Sequence, residues 1–71
     1  MKRYFLWTEV SDFYADSPYQ DEIESVCKWY STVCGTCELR WYMTDGRTVT
    51  DYDSAQREST FMARYRMGEE V

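Results

Sequence analysis

An α+β fold in two layers, ordered β-α-β-β-β, is what the sequence predicts: one helix packed on an antiparallel sheet of three to four strands. Three observations carry that expectation. Residues 3–10 are rich in aromatic and β-branched types, positions 19 to 34 hold an apolar stripe of helical period, and residues 36–44 alternate strictly before Asp45-Gly46. Seventy-one residues suffice for a single domain, residues 1–71.

The first strand is assigned to residues 3–10 (Arg-Tyr-Phe-Leu-Trp-Thr-Glu-Val), whose side chains suit a pleated, half-buried surface. Residues 11–19 carry Asp12, Asp16, Ser17 and Pro18, which is loop chemistry leading to a helix start. Ser17 is placed as the N-cap, with Pro18 at the first helical position and Gln20 completing a capping box. Tyr19, Ile23, Val26, Cys27, Tyr30, Val33 and Cys34 then form one stripe, opposite Asp21, Glu24, Lys28 and Ser31. Asp21 and Glu22 suit the positive end of the helix dipole, and Glu24 to Lys28 is the favourable i, i+4 order. Gly35 ends the helix as a left-handed cap.

Beyond it, Cys37, Leu39, Trp41 and Met43 share one strand face, while Glu38, Arg40, Tyr42 and Thr44 share the other. Asp45-Gly46 tolerates the positive φ angles of a two-residue hairpin turn. Such a turn pairs Thr44 with Arg47, Trp41 with Thr50, Arg40 with Asp51 and Leu39 with Tyr52; a longer loop shifts this parity. Residues 53–58 are polar and read as a connection. Residues 60–67 read as the last strand, with Phe61, Ala63, Tyr65 and Met67 on one face. A helix over 54–67 closing at Gly68 is the rival, supported by Phe61 and Tyr65 at i, i+4.

The composition excludes much chemistry. No histidine is present, so no Ser-His-Asp, Cys-His or His-metal arrangement can form. A domain this small has little interior for a deep pocket, and neither an enzyme nor a cofactor is expected. No window approaches the ~20 apolar residues of a membrane span, and the opening apolar run is far short of a signal-peptide core of roughly 7–15 residues. The expectation is a cytoplasmic protein with no membrane partner.

Cys34-Gly35-Thr36-Cys37 has C-x-x-C spacing, yet Cys34 closes a helix, where the negative dipole end opposes thiolate formation. Cys27, Cys34 and Cys37 with Glu38 would be an uncommon zinc ligand set. The three cysteines therefore read as core, with no metal site, and whether Cys34 and Cys37 pair stays open. Their odd number argues against a secreted disulfide scaffold.

Two surfaces ask for an explanation. The first is acidic. From Tyr4 through Cys27 the six charged residues Glu9, Asp12, Asp16, Asp21, Glu22 and Glu24 are all acidic, and this segment accounts for the net charge of −5. Such a surface could engage a basic groove that normally holds nucleic acid; the plainer reading is that loops and helix N-termini favour acids anyway. The second is aromatic. One helix covers only one face of a sheet, which leaves Phe5, Trp7, Tyr42, Val49 and Met62 on the other, interleaved with Arg40, Arg47, Arg64 and Arg66. Aromatic and arginine enrichment marks a binding surface, unless the rings cover one another or the last segment folds over as a second helix.

In size, acidity and layout (opening strand to residue 10, helix over 17–35, hairpin over 36–52) the chain resembles the small inhibitor proteins that bacteriophages encode, anti-CRISPR proteins in particular. The resemblance implies a non-enzymatic, stoichiometric inhibitor acting in the host cytoplasm. Its partner would be a protein with a basic surface in a host nucleic-acid-processing complex, and the resemblance carries over no catalytic residue. The alternatives are a homodimeric regulatory or structural module, and a binder of single-stranded nucleic acid. The net charge counts against the last of these.

Overall fold

The computed structural model describes residues 2–8, 14–34, 37–46 and 51–71, and at positions 14 and 52 the backbone alone. The chain runs β1 (Lys2–Trp7), β2 (Tyr14–Ser17), α1 (Gln20–Cys34), β3 (Glu38–Asp45), α2 (Tyr52–Glu58), β4 (Thr60–Arg66) and β5 (Glu69–Glu70). All strand pairs are antiparallel, in the order β2-β1-β3-β4-β5. The fold is α+β, with one main helix on a sheet that two short edge strands extend to five.

Strand alternation divides the side chains between two cores. On one face Leu6, Leu39, Trp41, Tyr65 and Cys37, the residue just before β3, meet Ile23 and Cys27 of α1. On the other, Phe5 stacks on Tyr42 with ring centroids 5.6 Å apart, and Ala55 of α2 closes over them. Each fully buried large apolar side chain here (Phe5, Leu6, Ile23, Leu39) contributes roughly 1.5–3 kcal/mol.

Several expectations need correction. Residues 11–19 are not all loop, because residues 14–17 pair with β1 as an edge strand, with Ala15 against the α1 core and Ser17 buried. Four residues are too few for their own period to announce a strand; the neighbouring edge of β1 supplies the partner. Ser17 therefore stands in β2, and its hydroxyl accepts from the Tyr19 amide at 3.0 Å. The first helical carbonyl is that of Tyr19, which accepts from Ile23 at 3.4 Å, so α1 starts at Gln20, later than the Pro18 start expected. Gly35, the expected cap, and residues 9–10 of the first strand lie outside the described residues.

The hairpin partner is wrong as well. β3 has β1 on one edge and β4 on the other: Trp41 pairs with Leu6 and Ala63, Leu39 with Tyr65, and Arg40 with Trp7 and Arg64. Both edges are taken, so Asp51 and Tyr52 cannot pair there; Arg47 and Thr50 lie outside the described residues. Residues 52–58 form α2 instead of a connection. Asp51 caps it, accepting the Ser54 amide at 2.7 Å, an N-cap that polar residues 53–58 obscured.

The strand assigned to 60–67 is present as β4, but a bulge opposite Trp41 and Tyr42 breaks its alternation. Phe61 pairs with Tyr42 on the α2 face, whereas Met62 and Ala63 pack on the α1 core, and Met62 is thereby removed from the outer face. Met67 does not continue the strand. Met67 (φ 56) and Gly68 (φ 82) make the turn into β5, consecutive positive φ angles that match the strand twist. No described helix is long and apolar enough to cross a membrane.

Candidate functional site

Helix α1 rotates its apolar arc away from the position its sequence suggests. The buried line is Ile23, Cys27 and Ser31, at i, i+4 and i+8. Ser31, expected outside, is inside because its hydroxyl donates to the Lys28 carbonyl at 2.7 Å and accepts the Gly68 amide at 2.8 Å. The rotation exposes Val33, expected in the stripe, at 60% with Trp29 at 59%, and Tyr19, left outside the helix, is 67% exposed. On a regular helix Glu22, Val26, Trp29 and Val33 fall on one line, with the acidic first turn (Asp21, Glu22) at its start. Trp29 escaped the sequence reading; the signal was its place four residues before Val33 and three after Val26.

The acidic residues do not gather into one array. Asp21 and Glu22 are exposed, but Glu24 is half-buried and accepts the Tyr65 hydroxyl at 3.2 Å. Asp16 sits across β1 and pairs with Arg3 at 3.1 Å, so its charge is locally balanced. Glu9 and Asp12 lie outside the described residues.

The aromatic face is largely covered. Phe5 and Tyr42 are only 2% and 3% exposed because α2 lies over them, and Trp7 is half-buried. Val49 lies outside the described residues. The face stays open between α2 and the β3–β4 pair, in a cleft of about 360 Å³ lined by Arg40, Tyr42, Gln56, Phe61 and Arg64. Phe61 stands edge-on to Tyr42 at 5.9 Å. Glu38 reaches Arg40 at 3.6 Å and Arg66 at 3.8 Å.

Cys34 and Cys37 form a disulfide that joins the end of α1 to the start of β3, with a Cα separation of 5.8 Å, within the ordinary range. Cys27 is free and buried; burial foremost, then the Glu24 charge, pushes its thiol up to about 12, opposite to what a nucleophile needs. Among the described residues no group of three or more Cys, Asp or Glu stands placed to hold a metal ion. No family model, curated protein or solved structure matches the chain.

Proposed function

We propose that this chain is a non-enzymatic protein-binding inhibitor that blocks a host nucleic-acid-processing defence complex by stoichiometric docking, as phage-encoded proteins of the anti-CRISPR type do. The observation that carries this reading is the outward side of α1, which exposes Trp29 and Val33 and begins with the exposed acids Asp21 and Glu22, next to the exposed Tyr19 that precedes the helix. Tryptophan and tyrosine are enriched at interfaces, where they bury large area at low entropic cost. The two carboxylates favour a basic partner, raise its rate of encounter and stand where that partner's own groove would hold phosphates. Inhibition on this reading is exclusion, which needs no nucleophile or general base. Its place of action is the host cytoplasm.

The test is affinity capture from lysate of the host cell, with the retained proteins identified. A nucleic-acid-processing complex should be retained by the wild type and lost with Trp29→Ala and with Asp21→Lys/Glu22→Lys. Glu24 is left alone because it holds Tyr65. Retention unchanged in both variants would sink the reading. The homodimeric alternative draws on the same apolar line, and light-scattering mass separates them: it requires a dimer that Trp29→Ala dissociates.

A further inference from the structure

The cleft beside α2 carries an arrangement that folding does not require. Arg40 and Arg64 are Cα partners on adjacent antiparallel strands, so both guanidinium groups leave the same face at the same point. Like charges directly opposite one another destabilise a sheet. Glu38 is divided between Arg40 and Arg66, and Glu69 stands opposite Arg66 in the β4–β5 register. Among the described residues no carboxylate forms an ion pair with Arg64. The Arg40–Arg64 pair lines a cleft of about 360 Å³, a size suited to a small ligand.

We propose that this cleft binds a nucleoside monophosphate unit, with the phosphate between Arg40 and Arg64 and the base on Phe61. Each part of that ligand answers a group on the wall. Two adjacent guanidinium forks match the oxygens of one phosphate and relieve the like-charge pair. Phe61 is 52% exposed and held edge-on by Tyr42, so it offers a fixed ring for a base to stack on. Gln56 supplies both a donor and an acceptor, which a base edge can use and a plain phenyl ring cannot.

The overall charge of −5 opposes a long polyanion, but screening over about 8 Å at physiological salt lets the local arginines decide for a single phosphate. The unit occurs free and within short single strands, and both present the same chemistry. The site is separate from the outward side of α1 and stands or falls independently of it.

Chemical-shift titration of the full chain tests this, using adenosine monophosphate, adenosine, inorganic phosphate, phenyl phosphate and a short oligoadenylate. Saturable shifts are expected at Phe61, the Gln56 amide and the Arg40 and Arg64 Nε–H groups, with adenosine monophosphate at least about tenfold tighter than adenosine, phosphate or phenyl phosphate. Arg64→Ala and Phe61→Ala, both at exposed positions, should each weaken binding about tenfold or more, and Arg64→Lys should restore part of it. Oligoadenylate binding tighter than the mononucleotide would assign the source to a single strand; equal or weaker binding would assign it to the free nucleotide. The proposal is overturned by no shift at millimolar nucleotide and oligonucleotide, by phenyl phosphate binding equally well, or by affinity that survives Arg64→Ala.

Discussion

The Gly68 amide donates to the Ser31 hydroxyl at 2.8 Å, and this bond ties the β4–β5 turn to the buried line of α1. The approach is close: a Cβ at Gly68 would stand 2.5 Å from Thr32 Cγ2. Thr32 cannot swing aside freely, since its hydroxyl donates to the Trp29 carbonyl at 2.6 Å.

Gly68→Ala should therefore destabilise by two separable effects. The φ of +82° is unfavourable for any L side chain, by about 1–2 kcal/mol, and the clash adds about 1–3 kcal/mol. Thr32→Ser removes Cγ2 and keeps the hydroxyl, so it should restore the steric part in the double variant and leave the φ part. Urea denaturation of the four proteins measures both; strictly additive losses would show that the two positions do not touch.

Thiol titration checks the cysteine arrangement. Purified protein should show no reactive thiol when native, one when unfolded without reductant and three when unfolded and reduced. Cys27 is the one released by unfolding, because burial hides it and keeps its proton on. Two or more reactive thiols in the native protein would contradict the Cys34–Cys37 bond.

Raised acid groups make the fold sensitive to alkali. Burial, then the Glu24 charge, pushes Tyr65 from 10.0 up to about 12, as the same causes push Cys27 from 9.0. The folded state thus holds protons that the unfolded chain releases, and the stability they represent is complete below the unfolded values and lost as pH rises towards 12. The melting temperature should fall between roughly pH 9 and 12. Tyr65→Phe should flatten the upper part of that fall, while costing about 1 kcal/mol at neutral pH through the lost bond to Glu24. An identical alkaline profile in the variant would refute the assignment.

Acid acts on α2. The Ser54 amide, foremost, holds the Asp51 carboxyl below the usual carboxylate range. Its contribution is present above the unfolded value and disappears as pH falls through the lowered one. Hydrogen exchange at the Ala55 amide, which donates to the Asp51 carbonyl at 3.0 Å, should speed up there. Asp51→Asn keeps the acceptor and should abolish the acid step.

What the sequence made legible were the elements with long, uninterrupted periods. Residues 20–34 had four turns of apolar spacing, and 38–45 alternated without a break, so α1 and the two faces of β3 could be read. The misreadings share a cause: the deciding partner is remote. β3 takes β1 and β4 as neighbours, so Asp45-Gly46 leads away from a tight hairpin despite its turn chemistry, with Gly46 still at φ 77. Met62 changed faces through one bulge residue, which a strict period of two cannot represent. At the candidate sites, Asp21 and Glu22 were visible as an acidic first turn, whereas Trp29 was exposed by a rotation of α1 that Ser31 and Gly68 decide. Arg40 and Arg64 were both noted on the outer face; their direct opposition depends on the β3–β4 register.

Helix α2 supplies one wall of the cleft through Gln56, and Ala55 is the residue that sets its height. Ala55 is fully buried against the stacked pair Phe5 and Tyr42, so nothing larger fits without lifting the helix. Ala55→Leu should cost about 1–3 kcal/mol by overpacking. Because α2 has only seven residues, it should yield before the sheet does. Phe5 and Tyr42 would then become accessible, and binding of an apolar dye should rise while the α1 core keeps its exchange protection. Gln56 moves with Ala55, so nucleotide affinity in the cleft should fall even though neither arginine is changed. If Ala55→Leu left dye binding and the protection of α2 unaltered, the helix would not be seated on Phe5 and Tyr42 as described.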